Sequence, residues 1–172
     1  MNEAVKRLEH YAISKDGYIL LGKRSGNIFL YKKKHEGHTN VERIIYSVDD
    51  PNKYNEIINE IWDSNYANSF NTDFVKKIFL CFSQKISSKE TFPLLFRYKS
   101  DINDHNPSSK EFKNTIIENV NLFKADIDSE DDIRNGKLRK TFVNIAGYLI
   151  KKKYNSYIDM TFVTSINGHD CI

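Results

Sequence analysis

From Ser129 to Ser165 the chain reads SEDDIRNGKLRKTFVNIAGYLIKKKYNSYIDMTFVTS, the longest periodic pattern it contains. Leu138, Phe142, Ile145, Ala146 and Leu149 recur at i, i+4, i+7, i+8 and i+11. That spacing lines one face of a 3.6-residue helix. A stripe of this kind must be covered by a sheet or another helix, so the chain has a core. Lys137, Arg139, Lys140, Asn144 and Lys151 to Lys153 fall off the stripe, and Tyr157, Ile158, Met160, Phe162 and Val163 follow as a strand-like run. The pattern predicts a capped amphipathic helix that runs straight into a strand.

The chain before it supplies partners for such a helix. Val5, Leu8 and Ala12 mark a short helix closed by Lys15-Asp16-Gly17. Two strand-like runs, Tyr18 to Lys23 and Ile28 to Lys33, meet through Arg24-Ser25-Gly26-Asn27, whose Gly and Asn tolerate the positive φ of a tight hairpin. Val41 to Val48 is a third run, so a meander is expected. Asp50-Pro51 is a helix start, and Tyr54, Ile57, Ile58, Ile61 and Trp62 follow at helical spacing. Phe74 to Phe82 fits a helix or a buried strand, its later part reading as strand, and Leu94 to Tyr98 is a further strand. Ser108 with Glu111 has the pattern of a capping box, ahead of Phe112, Ile116, Val120 and Phe123 on a helical stripe. Together these predict one α+β domain over residues 1–172, a mostly antiparallel sheet with helices packed on one face.

Composition limits the function. Basic and acidic residues number 26 and 23, less one-sided than a dedicated nucleic-acid binder. Cys81 and Cys171 make no disulfide framework, and no stretch has the length or hydropathy of a signal peptide or membrane span. A cytoplasmic protein is expected, with no membrane partner. The abundance of Asn, Lys, Ile, Tyr and Phe, all encoded by A/T-rich codons, points to an AT-rich genome such as that of a phage or mobile element.

No catalytic motif stands out. His35-Glu36-Gly37-His38 offers at most part of a metal ligand set, and a polar loop explains it as well. Asp104-His105 lacks a nucleophile motif, and His169-Asp170-Cys171 lies at the C-terminal end, where chains fray. Glu111 and Lys113, after Asp101 and Asp104, match a metal-dependent nuclease only loosely. The acidic run Asp126, Asp128, Glu130, Asp131, Asp132 departs from the calcium-loop pattern and suits the start of a helix. No metal or cofactor is expected, and whether the chain is an enzyme stays open.

The clearest feature outside the core is electrostatic. Lys32, Lys33 and Lys34 beside Tyr31, and Lys151, Lys152 and Lys153 beside Tyr154, have the residue types of a single-stranded nucleic-acid surface. Lysines that complement a helix end or guard an edge strand account for them too. Well-patterned core, absent catalytic motif and abundant tyrosine favour a non-catalytic protein that docks on a protein partner as an inhibitor, immunity-type or accessory protein. Nucleic-acid binding through the two lysine clusters is the alternative, and a small enzyme with dispersed His and Asp residues is a third. A homodimer is compatible with each.

Overall fold

A computed structural model describes residues 3–37, 39–62, 82–87, 93–98, 101–107, 113–137, 142–154 and 156–167. Helix α1 (Glu3–Ile13) buries Ala4, Val5, Leu8, Tyr11 and Ala12, which its pitch places on one side. Strands β1 (Ile19–Arg24) and β2 (Ile28–Lys34) form the expected hairpin, turned by Gly26 at φ +77° and Asn27 at φ +55°. β3 (Asn40–Val48) completes the meander. Asp50 then accepts a hydrogen bond from the Asn52 amide at 2.9 Å, starting a 3₁₀ turn that continues as α2 (Tyr54–Trp62). β4 (Phe82–Ser87) and β5 (Pro93–Tyr98) pair with each other. Of Phe74 to Phe82, only Phe82 lies within the described residues.

The pattern at Ser129 to Ser165 resolves differently from its helical reading. Phe142–Lys152 is a strand, β8, paired on one side with β5 and on the other with β9 (Ile158–Asn167). The only helix of that stretch among the described residues is the single turn α3 (Asp131–Arg134). Ser129 does not cap it: its hydroxyl donates to the Asp104 carbonyl. β8 is central in the sheet and covered on both faces, so apolar residues occupy nearly every position instead of alternating. Such a run satisfies a helical template by chance, while the β-branched Val143, Ile145 and Ile150 favour strand over helix and Gly147 disfavours a helix interior.

The stripe ending at Phe123 is also not an α-helix. Residues 113–117 are irregular and Glu118–Leu122 is a 3₁₀ turn. Asn114 competes with helical bonding there. Its Oδ1 accepts from the Ile116 and Ile117 amides at 3.0 and 2.9 Å, and its Nδ2 reaches the Asn144 carbonyl at 2.8 Å. Ile116, Ile117 and Val120 are still buried, but Phe123 is 64% exposed. The proposed capping box and Phe112 lie outside the described residues.

The described strands form a seven-stranded sheet, ordered β1-β2-β3-β9-β8-β5-β4 and antiparallel throughout. A two-stranded parallel pair, β6 (Asp101–Asn103) with β7 (Lys124–Asp126), stands apart. The α+β class is as the sequence indicates. Helices meet both faces of the sheet, however, and the two faces are finished differently.

One face is sealed. Val41, Val163, Ile145 and Leu149 pack with the α1 residues and with Ile116, Ile117 and Val120 into a single cluster. Burying each such side chain contributes roughly 1.5 to 3 kcal/mol. Arg43 lies in the same layer, 5% exposed, and its Nη1 donates to the carbonyls of Tyr11, Ala12 and Ser14. Tyr11 and Ala12 are among the carbonyls that the end of α1 leaves without helical partners, and Ser14 follows the helix. The guanidinium carbon sits 3.8 Å from the Tyr18 ring centroid and 5.1 Å from that of Tyr31, which offsets part of its desolvation.

Candidate functional site

The register assigns side chains to the opposite face. Ile44 pairs with Leu30 and Phe162, Phe162 with Tyr148, and Tyr46 with Met160, all on the side away from Val41 and Arg43. α2 covers one end of this face: Ile58 packs on Ile150, Ile158 and Met160, flanked by Tyr54, Ile57 and Ile61. Farther along the strands, Ile28, Leu30, Ile44 and Phe162 stay half-buried. The Phe162 and Tyr148 rings lie 4.6 Å apart. At the margin of this surface, across from Glu42, the Thr164 hydroxyl is buried and has no hydrogen-bond partner among the described residues. An aliphatic and aromatic wall with a single orphaned polar atom suits a ligand that is mostly apolar.

The charged and titratable residues singled out by the sequence do not build a site. Lys32–Lys34 and Lys151–Lys153 sit at opposite ends of the sheet, because Val41 faces Lys33 while Ile158 faces Lys152. The separation is roughly 23 Å along the strands and about 14 Å across them. Consecutive lysines on a strand also alternate between faces: the Lys33 ammonium lies 5.8 Å from the Tyr18 ring, and that of Lys152 lies 5.8 Å from the Tyr54 ring. Tyr154 is 92% exposed in the turn between β8 and β9.

His35 is held by the Tyr11 hydroxyl at Nδ1, 2.7 Å away, and by the Thr115 carbonyl at Nε2, 3.1 Å away. This ties the β2–β3 loop to α1. Asp104 does not orient His105. Its side chain accepts from the Asn106 amide, while His105 Nε2 meets Asp126 at 2.8 Å on the exposed surface. Asp128 and Asp132 are engaged by Arg134 and Lys137. His38, Glu111 and His169-Asp170-Cys171 lie outside the described residues. Among the described residues no three His, Cys, Asp or Glu side chains converge as a metal site.

The fold places the chain among known structures. Human STARD10 superimposes with a TM-score of 0.53 at 9% identity, covering 97% of this chain and 67% of that one. The fold resembles that of START domains. The lipid transfer and protein localization domain of human StarD13 (DLC2) gives a TM-score of 0.45 at 15% identity, covering 99% of this chain and 86% of that one. No family model and no curated protein matches the sequence.

The START-like fold corrects the functional expectation. The likeness to the fold of human STARD10 overturns the inhibitor or docking-protein reading and the nucleic-acid reading of the lysines alike. Sequence reasoning missed Leu30, Ile44, Tyr148 and Phe162 as one surface, since their adjacency depends on pairings among four strands. The available signal was the excess of apolar residues on both sides of β3 and β9. No described helix is long and apolar enough to cross a membrane.

Proposed function

We propose that this chain binds the apolar portion of a lipid against the half-open sheet face beside α2, with residues 1–172 acting as one lipid-binding unit in the cytoplasm. The observation that carries the reading is the contrast in finish between the faces: one is sealed by α1, while Leu30, Ile44 and Phe162 on the other stay half-buried. Covering apolar surface is favourable by roughly 25 cal/mol per Å², so such a face favours an apolar occupant. Thr164, with its orphaned hydroxyl, offers a hydrogen bond to a polar group carried by that occupant. Likeness to the StAR-related lipid transfer fold supports the same ligand class.

Native mass spectrometry tests it. The purified chain is incubated with phosphatidylcholine vesicles and separated from them. A species heavier by one phospholipid is expected, and its absence at every lipid concentration would overturn the proposal.

A further inference from the structure

The outer edge of the sheet carries a second apolar surface. Among the described residues β1 is an end strand, with no neighbouring strand on one side of its backbone. Ile19, Leu20 and Leu21 on it are 69%, 53% and 53% exposed. Three adjacent large aliphatic side chains facing water require an occupant or a cost.

Charge selects the occupant. Residues 15–36 hold six cations, Lys15, Lys23, Arg24, Lys32, Lys33 and Lys34, against Asp16 and Glu36, a net of +4 where the whole chain has +3. Lys15 and Lys32 to Lys34 lie at one end of the hairpin and Lys23 with Arg24 at the other, so the aliphatic residues sit between cations. None of Lys15, Lys23, Arg24, Lys32 and Lys34 forms an ion pair among the described residues.

We infer that the β1–β2 hairpin docks on an anionic lipid surface, its aliphatic centre entering the interface while the cations meet headgroup phosphates and carboxylates. A second copy fits less well. The register shift between Leu20 and Gly22 interrupts the ladder that another edge strand would extend, and two hairpins of net +4 repel. Nucleic acid fits less well too, because the exposed residues are aliphatic and give bases no aromatic face to stack on. The residues tested here are not Leu30, Ile44, Tyr148 or Phe162, and attachment to anionic vesicles is read apart from uptake of a single phospholipid, so the two readings fail independently.

Cosedimentation of the full chain with phosphatidylcholine vesicles, with and without phosphatidylserine, tests the inference across a salt series. Pelleting is expected only with phosphatidylserine, weakening as salt rises. Arg24→Gln with Lys34→Gln should lower the partition by on the order of tenfold or more. Leu20→Ser with Leu21→Ser should lower it as well, at an unchanged thermal midpoint because both side chains are exposed. Both variants should keep the phospholipid uptake seen by native mass spectrometry. Pelleting on neither vesicle, equal pelleting on both, or unaffected variants would overturn the inference. So would a wild-type dimer that the Leu20→Ser, Leu21→Ser variant converts to monomer, which would assign the edge to a second copy.

Discussion

The two faces of the sheet are built from the same strands, yet they differ in what they leave undone. On the α1 side, Val41, Ile145 and Val163 are fully buried, and even carbonyls at the C-terminal end of α1 find a partner in Arg43. On the α2 side, Ile58 meets buried Ile150, Ile158 and Met160, and burial falls away toward Ile44 and Leu30. Stability is therefore concentrated on one face, which leaves the other free for the proposed ligand. A folded chain tolerates a half-open apolar face when the opposite face already holds it together.

That division predicts a graded set of responses. Ile145→Ala, on the sealed face, should destabilise by about 3 to 4 kcal/mol in urea unfolding. A shift below about 1 kcal/mol would show that this face is loosely packed. Arg43→Ala should come next, at about 2 to 3 kcal/mol, since it strips the charged donor from three carbonyls at the end of α1. Hydrogen exchange of α1 measured beside the unfolding curve would localise the loss. Ile44→Ala, on the half-open face, should cost only about 1 kcal/mol because its surroundings already admit solvent. A cost equal to that of Ile145→Ala would erase the distinction between the faces.

The smallest effect concerns pH. Burial raises the Tyr18 phenol from 10.0 to about 12, with the Arg43 charge opposing that rise. The unfolded chain therefore loses this proton first as pH rises. Stability should be independent of Tyr18 below pH 10 and decline between pH 10 and about 12. Tyr18→Phe should flatten that part of the profile, while costing about 1 kcal/mol at neutral pH through loss of the hydrogen bond to the Tyr11 carbonyl. An unchanged alkaline slope in the variant would assign the decline to other groups.

Local signals carried much of the architecture. Val5, Leu8 and Ala12 gave away α1, Gly26-Asn27 the hairpin, and Asp50-Pro51 the entry to α2, because each is settled by neighbours within a few residues. β8 was misread because its burial on both faces is set by strands distant in sequence, which erases the alternation that identifies a strand. Asn114 misled in the opposite way: an apolar stripe surrounds it, but its own hydrogen bonds hold the backbone out of a helix. The candidate site was less legible still. Leu30, Ile44, Phe162 and Tyr148 become neighbours only through the register of β2, β3, β9 and β8, and the lysine runs drew attention to opposite ends of the sheet. Charge was visible in sequence, but the face it belonged to was not.

The central claim is that the α2-side face takes the apolar part of a lipid. Titration of a fluorescent, nitrobenzoxadiazole-labelled phospholipid with wild type and with Ile44→Asp tests it most directly. Saturable brightening is expected for wild type and at least about a tenfold weaker response for Ile44→Asp, the charge being costly to bury beside an acyl chain, with circular dichroism confirming that the variant is folded. Equal binding by the two proteins, or none by wild type, would contradict it.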